Sequence, residues 1–316
     1  MKVNARPERS LNERLLTLKS KKMGVKELRI LKPFDPWKSE LCTCGDKLSF
    51  NPYTGCSHRC DYCYATYIPR FWEVREKKDL LKKLEKDLSE MDRRLPISMS
   101  NSSDPYPRIE KEKEITRRCL ELFREYDATL LVVTKSDIIL RDIDILSEID
   151  CVVSITITGC DELEKFAPST ERRIEVFREL SEVVPTVLRF DPVIPFFNDS
   201  RLEIIEACDP EHVVTSTLKL RFDSYKRIGE TLPKLKPMLR KLYFEEGEKI
   251  GSYYYLNRNM RISLLRKVEE FCRSMGISCG FCREGLEYKA KSCDGRHLSS
   301  RFKSLNSCKS GGYNAV

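Results

Sequence analysis

The amino-acid sequence predicts an α/β protein built on a parallel sheet, because short apolar segments alternate with helical patterns along most of the chain. The apolar segments are rich in β-branched residues and lie at about 47–51, 96–100, 129–134, 151–157, 186–190 and 212–217. Helical patterns separate them at about 76–92, 111–125, 138–148, 170–182 and 200–207. A complete eight-fold barrel needs about 250 residues and two further strands, so the pattern predicts a sheet of six strands.

Composition limits the class of protein. The 316 residues are 41% hydrophobic and 34% charged, which is typical of a globular chain rather than a disordered one. The sequence shows neither a run of 18 apolar residues nor an apolar signal segment, so we expect neither a membrane span nor secretion. The 14 cysteines then indicate thiols and metal ligands in a reducing cytoplasm. A formal charge of +8 permits nucleic acid as a partner without demanding it.

Three regions are predicted. Residues 46–222 carry the strand–helix pattern, residues 1–45 form a basic N-terminal extension, and residues 223–316 hold two more helices, at about 223–241 and 258–275, and a cysteine-rich tail. Residues 1–33 carry ten Lys or Arg and three Glu. Such a segment is suited to phosphate groups, but it is equally typical of a solvated surface.

The most informative motif is Cys56-x3-Cys60-x2-Cys63. A structural zinc ion takes four protein ligands, and a 4Fe-4S cube takes four cysteines when every iron is ligated. Three local thiolates therefore indicate a cube with one iron open to a small molecule. The alternative is a zinc knuckle with a distant fourth ligand, for which His58 is the local candidate.

The segments 51–56 and 60–65 resemble the cluster loop of radical S-adenosylmethionine (radical SAM) enzymes, and more narrowly the group related to spore photoproduct lyase. The resemblance implies a partial (β/α)6 TIM barrel, a 4Fe-4S cluster on Cys56, Cys60 and Cys63, and S-adenosylmethionine as cofactor. It also implies reductive cleavage of that cofactor to a 5′-deoxyadenosyl radical that abstracts hydrogen from a substrate. The partner would be a one-electron reductant of the flavodoxin or ferredoxin type.

Polar residues at the predicted strand ends resemble the matching segments of the same group, and active sites of parallel barrels gather at those ends. The resemblance implies that the Tyr62 backbone contacts the adenine, that Lys135 pairs with the methionine carboxylate, and that Arg189 and Asp191 form an ion pair facing the cavity or closing the barrel. The remaining candidates for the S-adenosylmethionine pocket are Ser100, Ser102, Ser103, Asp104, Ser154 and Thr156.

The substrate does not follow from the resemblance. Spore photoproduct lyases return a hydrogen atom from a cysteine that aligns near Asn101 here, whereas Tyr62 and Tyr64 match their tyrosine relay and are the candidate catalytic residues. A nucleic acid base is the leading substrate, through a lyase-like reaction or an RNA or DNA modification. A peptide or a small metabolite is the alternative, and a non-catalytic iron–sulfur or zinc protein that binds nucleic acid is the alternative of another class.

The tail presents a second set of cysteines, Cys272, Cys279, Cys282 and Cys293, with Cys308 beyond. Four thiolates fit a second iron–sulfur cluster or a structural zinc ion. Cys42 and Cys44 would contribute if the N-terminal extension folds over the tail. The alternative is a set of reduced thiols packed in a small subdomain.

Overall fold

The computed structural model describes residues 28–34 and 39–301. Its centre is an eight-stranded sheet. The strands of this sheet are β1 (Lys32–Pro33), β2 (Leu48–Phe50), β5 (Ile97–Met99), β6 (Leu130–Thr134), β7 (Cys151–Thr156), β8 (Thr186–Val193), β9 (His212–Thr217) and β12 (Ser278–Phe281), and they lie side by side in this order. All neighbouring pairs are parallel except β1 and β2. Two antiparallel hairpins stand apart from it, β3 (Tyr53–Thr54) with β4 (Arg75–Glu76) and β10 (Glu248–Ile250) with β11 (Tyr253–Tyr255).

All six predicted strands are confirmed, and so is the partial α/β barrel. One further parallel strand was missed, as were the antiparallel edge strand β1 and the two hairpins. β12 pairs in parallel with β9, with Ser278 opposite His212, so the tail contributes a seventh parallel strand. Its four residues, Ser-Cys-Gly-Phe, lack the β-branched pattern of the other strands, and the two cysteines at Cys279 and Cys282 favoured a metal motif instead.

The helices follow the strands. They are α1 (Leu80–Glu90), α2 (Glu110–Lys113), α3 (Ile115–Glu125), α4 (Ile143–Leu146), α5 (Thr170–Ser181), α6 (Glu203–Cys208), α7 (Phe222–Thr231), α8 (Lys236–Arg240) and α9 (Arg258–Ser274). Short 3-10 helices lie at Ala65–Tyr67, Asp137–Asp142, Asp161–Leu163 and Arg296–Leu298, and a π turn lies at Lys241–Glu245. The predicted helix 223–241 is divided, because Pro233 lacks the N–H that would continue it.

Each helix buries one face. In α1, Leu80, Leu84 and Leu88 recur every four residues and are all buried, as a 3.6-residue period requires. A separate interior cluster consists of Leu131, Val152, Val187 and Val214 from four strands together with Leu298 from the tail. Within the described residues, no helix is long and apolar enough to cross a membrane.

The tail also joins the two ends of the open sheet. Gly285 N–H donates to Leu41 O at 3.1 Å, and Arg296 donates to the carbonyls of Gly45 and Asp46 at 3.2 and 3.3 Å. Residues 41–47 lead into β2 at one end of the parallel strands, while residues 282–296 follow β12 at the other. We call this junction of residues 41–47 with 282–296 the seam.

Candidate active site

The residue directly before the cluster loop (residues 56–63) occupies a position that only glycine fits. Gly55 has a φ of +91°, and a Cβ atom there would lie 2.7 Å from Phe71 O and still closer to Glu73 O. The close approach lets Cys56 N–H donate to Phe71 O at 2.9 Å. The first cysteine is thus fixed by backbone contacts with the segment that follows the loop.

The far end of the loop is held from helix α7. Arg227 donates to Asp61 O at 3.0 Å and to Cys63 O at 2.8 Å, and Asp61 N–H donates to Leu163 O at 2.8 Å. Thr231, also on α7, donates to the Asp61 carboxylate at 2.6 Å. Hydrogen bonds to main-chain atoms therefore set the shape of the loop at both ends.

The donor set of the loop fits a metal cluster. Cys60 is buried, and Cys56 and Cys63 are partly buried. Burial raises the pKa of Cys56 to about 12 and also raises the pKa values of Cys60 and Cys63. Metal ligation requires the thiolate, and thiols in this setting ionise only beside a strong cation.

Asp104 links the cluster loop to two strand ends. Its carboxylate lies 3.2 Å from His58 Nε2, accepts from Thr134 Oγ1 at 2.7 Å and accepts from Lys135 N–H at 2.8 Å. Burial by itself would raise the pKa of Asp104, but His58 and the backbone donors outweigh burial and lower it. Because His58 faces Asp104 and its other ring nitrogen lies 3.4 Å from Phe166 O, the geometry does not favour His58 as a metal ligand.

Two serine hydroxyls, one directly after β5 and one within β7, are buried. Ser100, at a φ of 75°, and Ser154, on β7, are buried, and their Oγ atoms have no hydrogen-bond partner among the described residues. Buried polar atoms nearly always have a partner. The neighbouring Ser102 is engaged, since its hydroxyl and its main-chain N–H both donate to Asn51 Oδ1 at 3.3 Å, and the main-chain N–H of Ser103 donates to the same atom at 3.4 Å.

Glu164 is a central residue that sequence reasoning missed. Its buried carboxylate pairs with Arg173, accepts from Tyr62 Oη and from Thr158 Oγ1 at 2.8 Å, and lies 3.4 Å from Lys135 Nζ. Burial opposes its charge, but Arg173 and Lys135 lower the pKa of Glu164 to about 2. The only sequence signal was an acidic residue in a short loop after β7, which is common on surfaces. Thr156 lies beside this group, and its main-chain oxygen accepts from Arg173 at 2.9 Å.

Arg189 and Asp191 form the predicted ion pair at 3.0 Å, mostly buried, on β8. Ser216 Oγ donates to Asp191 at 2.6 Å, and Lys219 Nζ donates to Ser216 Oγ at 2.8 Å and pairs with Glu284 at 3.1 Å. The pair is therefore one part of a polar network that extends from β8 to the tail. This arrangement matches the barrel-closing alternative as well as a cavity wall.

The two candidate catalytic tyrosines face different surroundings. Tyr62 is buried against Glu164, and burial raises its pKa well above the usual value. Tyr64 is 37% exposed and donates to Asn101 O. Its ring lies 6.2 Å from that of Tyr253 in an edge-to-face arrangement. Tyr64 is therefore partly exposed to solvent, whereas Tyr62 lies in a buried charged cluster.

Aromatic rings and guanidinium groups alternate around Tyr64. Arg221 lies over the rings of Tyr67 and Tyr253 at 5.6 and 5.8 Å, and Arg283 lies over Tyr253 at 5.6 Å. We call Tyr64, Tyr67, Tyr253, Arg221 and Arg283 the rim. Tyr67 is 38% exposed, so the rim presents rings and positive charge to solvent beside the cluster loop.

The tail cysteines do not come together as one set. Cys272 on α9 and Cys279 on β12 lie in the main hydrophobic core, where the Cys279 thiol is hydrogen bonded to Cys272 and its pKa is raised. Cys293 lies instead at the seam, 3.2 Å from Cys44, and Cys282 packs against the interior cluster. Helix α9 and strand β12 place the first pair on the outer face of the sheet and away from the second. Cys308 and the basic segment 1–27 lie outside the described residues.

Comparison with known proteins agrees with this geometry. The profile of the Radical SAM superfamily matches residues 50–208. An uncharacterized protein of Methanocaldococcus jannaschii is 30% identical over 185 residues, which cover 55% of this chain and 69% of that protein. An uncharacterized protein of Acidianus two-tailed virus is 24% identical over 160 residues, or 44% and 52% of the two chains.

Solved structures share the fold. A variant of spore photoproduct lyase with bound AdoMet and dinucleoside spore photoproduct has a TM-score of 0.58 at 15% identity, over 85% of this chain and 94% of that one. The lyase complexed with dinucleoside spore photoproduct has a TM-score of 0.58 at 16% identity, over 89% and 88%. At this identity the likeness concerns the fold.

Proposed function

Because the chain belongs to the radical SAM superfamily, and is thus an enzyme that uses a one-electron reductant, we propose that it abstracts a hydrogen atom from a base of a single-stranded nucleic acid. The 4Fe-4S cluster and S-adenosylmethionine that the family implies supply the 5′-deoxyadenosyl radical for this step. The rest of the proposal concerns what the residues of this chain do.

Cys56, Cys60 and Cys63 are the proposed ligands of the cluster, since they are three thiols on one loop and no fourth cysteine lies on it. Ser100 and Ser154 are the proposed partners of the amino and carboxylate groups of the cofactor, because their hydroxyls are buried without a partner among the described residues. Lys135 is the proposed cation for the carboxylate, and Glu164 holds its ammonium group at 3.4 Å. Asp104 acts as a positioning residue, because His58, Thr134 and Lys135 already occupy it.

The observation that supports a nucleic acid base is the rim. Aromatic rings stack on bases of any sequence, at about 1–3 kcal/mol per base, and arginine adds attraction to both phosphates and ring faces. The rim combines both groups within a few ångströms of Tyr64, which follows the last cysteine of the loop. A base that stacks on Tyr253 or Tyr67 would lie at the mouth where the strands end.

The exposed position of Tyr64 supports a role for its hydroxyl at the substrate. Its partner is a main-chain carbonyl, Asn101 O, so the phenol is an oriented donor. Tyr62 is less suited to contact a substrate, since Glu164 holds its hydroxyl in a buried site. We therefore propose Tyr64 as the residue that contacts the reacting base and Tyr62 as a residue that positions the loop.

The test is formation of 5′-deoxyadenosine by the anaerobically reconstituted enzyme with S-adenosylmethionine and reductant, alone and with single-stranded RNA, single-stranded DNA, duplex DNA or a protein digest. We expect single strands to stimulate the reaction most. Tyr253→Ala should lower that stimulation by about fivefold or more, as the loss of one stacking contact predicts, and Arg283→Gln should also lower it by removing a positive charge. Arg240→Gln, on the exposed end of α8, is the matched control and should retain the stimulation.

Two outcomes would contradict the proposed substrate. Stimulation by the protein digest alone would assign a peptide substrate. Stimulation by single strands that the two rim variants leave unchanged would place the nucleic acid elsewhere on the surface. If Cys60→Ala still cleaved S-adenosylmethionine, the assignment of the cluster loop itself would be wrong.

A further inference from the structure

The seam brings together cysteines from opposite ends of the sequence. Cys44 Sγ lies 3.2 Å from Cys293 Sγ, and the Cys44 thiol is also hydrogen bonded to Cys42. Cys44, Cys293 and the Asp294 carboxylate lie within 4.8 Å of one another, in a geometry that a metal ion could occupy. This thiol group is separate from the cluster loop and involves neither Cys272 nor Cys279.

A fourth thiol lies nearby. Cys282 directly follows β12 and packs against the interior cluster; Arg189 and Asp191 are its main charged neighbours, and Cys44 and Cys293 also interact with it electrostatically. Gly280, two residues earlier, explains how the tail comes so close, because a Cβ atom there would lie 2.7 Å from Cys293 Cα. The turn from β12 into residues 292–296 therefore directs Cys282 and Cys293 to the same region of the seam.

The charges around the thiols suit bound thiolates. Lys47 is 4% exposed, and its ammonium group lies 3.5 Å from Cys44 Sγ and 2.7 Å from Asp294. Arg296 pairs with Asp294 at 2.9 Å. Because two cations already engage Asp294, its carboxylate serves the surroundings of the site rather than the ion. Four thiolates around a divalent ion carry two net negative charges, and Lys47 and Arg296, after balancing Asp294, offset one of them.

We propose that Cys44 and Cys293 bind one structural zinc ion, with Cys42 and Cys282, which lie near this pair but outside the 4.8 Å group, as the other two ligands. A tetrahedral zinc site with Zn–S bonds of about 2.3 Å places its sulfurs about 3.8 Å apart. The 3.2 Å between Cys44 and Cys293 is close to that spacing. A 4Fe-4S cube ligates each cysteine through a different iron and so requires wider separation of the sulfurs. Four protein ligands leave no open position, which indicates a structural role.

The zinc ion would link the two ends of the open barrel. Cys42 and Cys44 precede β2, and Cys282 and Cys293 follow β12, so the four ligands come from the two ends of the row of parallel strands. A link between residues 44 and 293 closes most of the chain into one loop. Such a link removes conformational freedom from the unfolded chain and favours the folded one.

The test is metal analysis of the full chain, as wild type and as the triple variant Cys56→Ala, Cys60→Ala, Cys63→Ala. Both should hold about one zinc ion per chain, while the triple variant should hold no iron. Cys44→Ser and Cys293→Ser should lose the zinc, and Cys272→Ser with Cys279→Ser is the matched control that should keep it. Cobalt(II) in place of zinc should give the intense sulfur-to-cobalt absorption and visible bands of a tetrahedral thiolate site.

If the serine variants fail to fold, chelator extraction from the folded wild type followed by cobalt(II) addition gives the same spectroscopic readout. Full zinc occupancy in both serine variants would overturn the proposal. So would about four irons per chain in the triple variant, or a Cys44–Cys293 disulfide in a protein that contains no zinc. None of these measurements depends on S-adenosylmethionine cleavage, so the zinc site can fail while the proposed function stands.

Discussion

The two cysteine sites of this protein are built in opposite ways. The cluster loop places Cys56, Cys60 and Cys63 within eight consecutive residues, and its main-chain atoms are held by hydrogen bonds to Phe71 O and Leu163 O and from the Arg227 guanidinium. The seam collects Cys42 and Cys44 from one end of the sheet and Cys282 and Cys293 from the other, and buried charges surround it. The cluster loop is a local sequence motif, whereas the seam exists only once the sheet has formed and brought the two ends of the sequence together.

The difference has a functional meaning. A loop of three thiols leaves a coordination position open and lies at the strand ends, where a parallel barrel carries its chemistry. Four thiols that join two ends of a sheet leave no position open, and in that place they can act only on stability. The comparison therefore predicts that changes at the loop affect catalysis and that changes at the seam affect folding.

The largest expected effect is at the loop. Cys60→Ala should abolish 5′-deoxyadenosine formation and remove most of the iron, because the loop holds no cysteine besides Cys56, Cys60 and Cys63 that could take its place. Cys208→Ala, a buried cysteine at the end of α6, is the control and should keep both properties. Normal iron content in Cys60→Ala would mean that the loop is not the cluster site, and the contrast with the seam would disappear.

The sequence was sufficient for the local features of the fold. The six strands and the cluster loop are each coded within a few residues, so periodicity and spacing found them. β12 was missed because Ser278–Phe281 is a strand only through its pairing with β9. Glu164 was missed because its partner Arg173 is distant in sequence and does not signal the contact by spacing. For the same reason the sequence raised Cys44 only as a possible neighbour of the tail cysteines, without predicting its contact with Cys293.

The second largest effect is expected at Glu164, the buried carboxylate that pairs with Arg173. Glu164→Gln should destabilise the protein by about 3–5 kcal/mol at neutral pH, because it leaves the buried Arg173 without its partner. Denaturant unfolding in the cluster-free triple-alanine background measures it without interference from iron loss. Glu121→Gln, on the exposed face of α3, is the control and should change stability little.

The pH dependence of the same variant follows from the lowered pKa of Glu164. Its pKa is lowered from 4.5 to about 2 in the folded protein, so its stabilisation is complete above about pH 4.5 and is lost as the pH falls towards 2. The difference in unfolding free energy between wild type and Glu164→Gln should therefore shrink across that window. A difference that stays constant would show that the carboxylate charge is not what stabilises this group.

A smaller effect is expected from the close approach at the seam. Gly280→Ala should destabilise the protein by about 1–3 kcal/mol, because its Cβ atom would meet the backbone of Cys293. The matched control is Gly229→Ala in α7, where the new atom meets only the flexible Lys236 side chain and alanine is the better helix former by about 1 kcal/mol. Thermal unfolding of the two variants should move in opposite directions. Equal shifts would indicate that the tail adjusts easily at the seam.

The smallest effect should come from the exposed charge of Lys165, which lies beside the cluster loop. Lys165 lies 3.3 Å from Asp61 and is 47% exposed, and exposed ion pairs contribute about 0–1 kcal/mol. Lys165→Met should therefore change neither iron content nor stability beyond about 1 kcal/mol. Arg227→Met, by contrast, removes the donor to Asp61 O and Cys63 O and should lower iron retention. If Lys165→Met lost as much iron as Arg227→Met, surface charge would hold the loop, and the loop would resemble the seam in depending on ion pairs rather than on backbone hydrogen bonds.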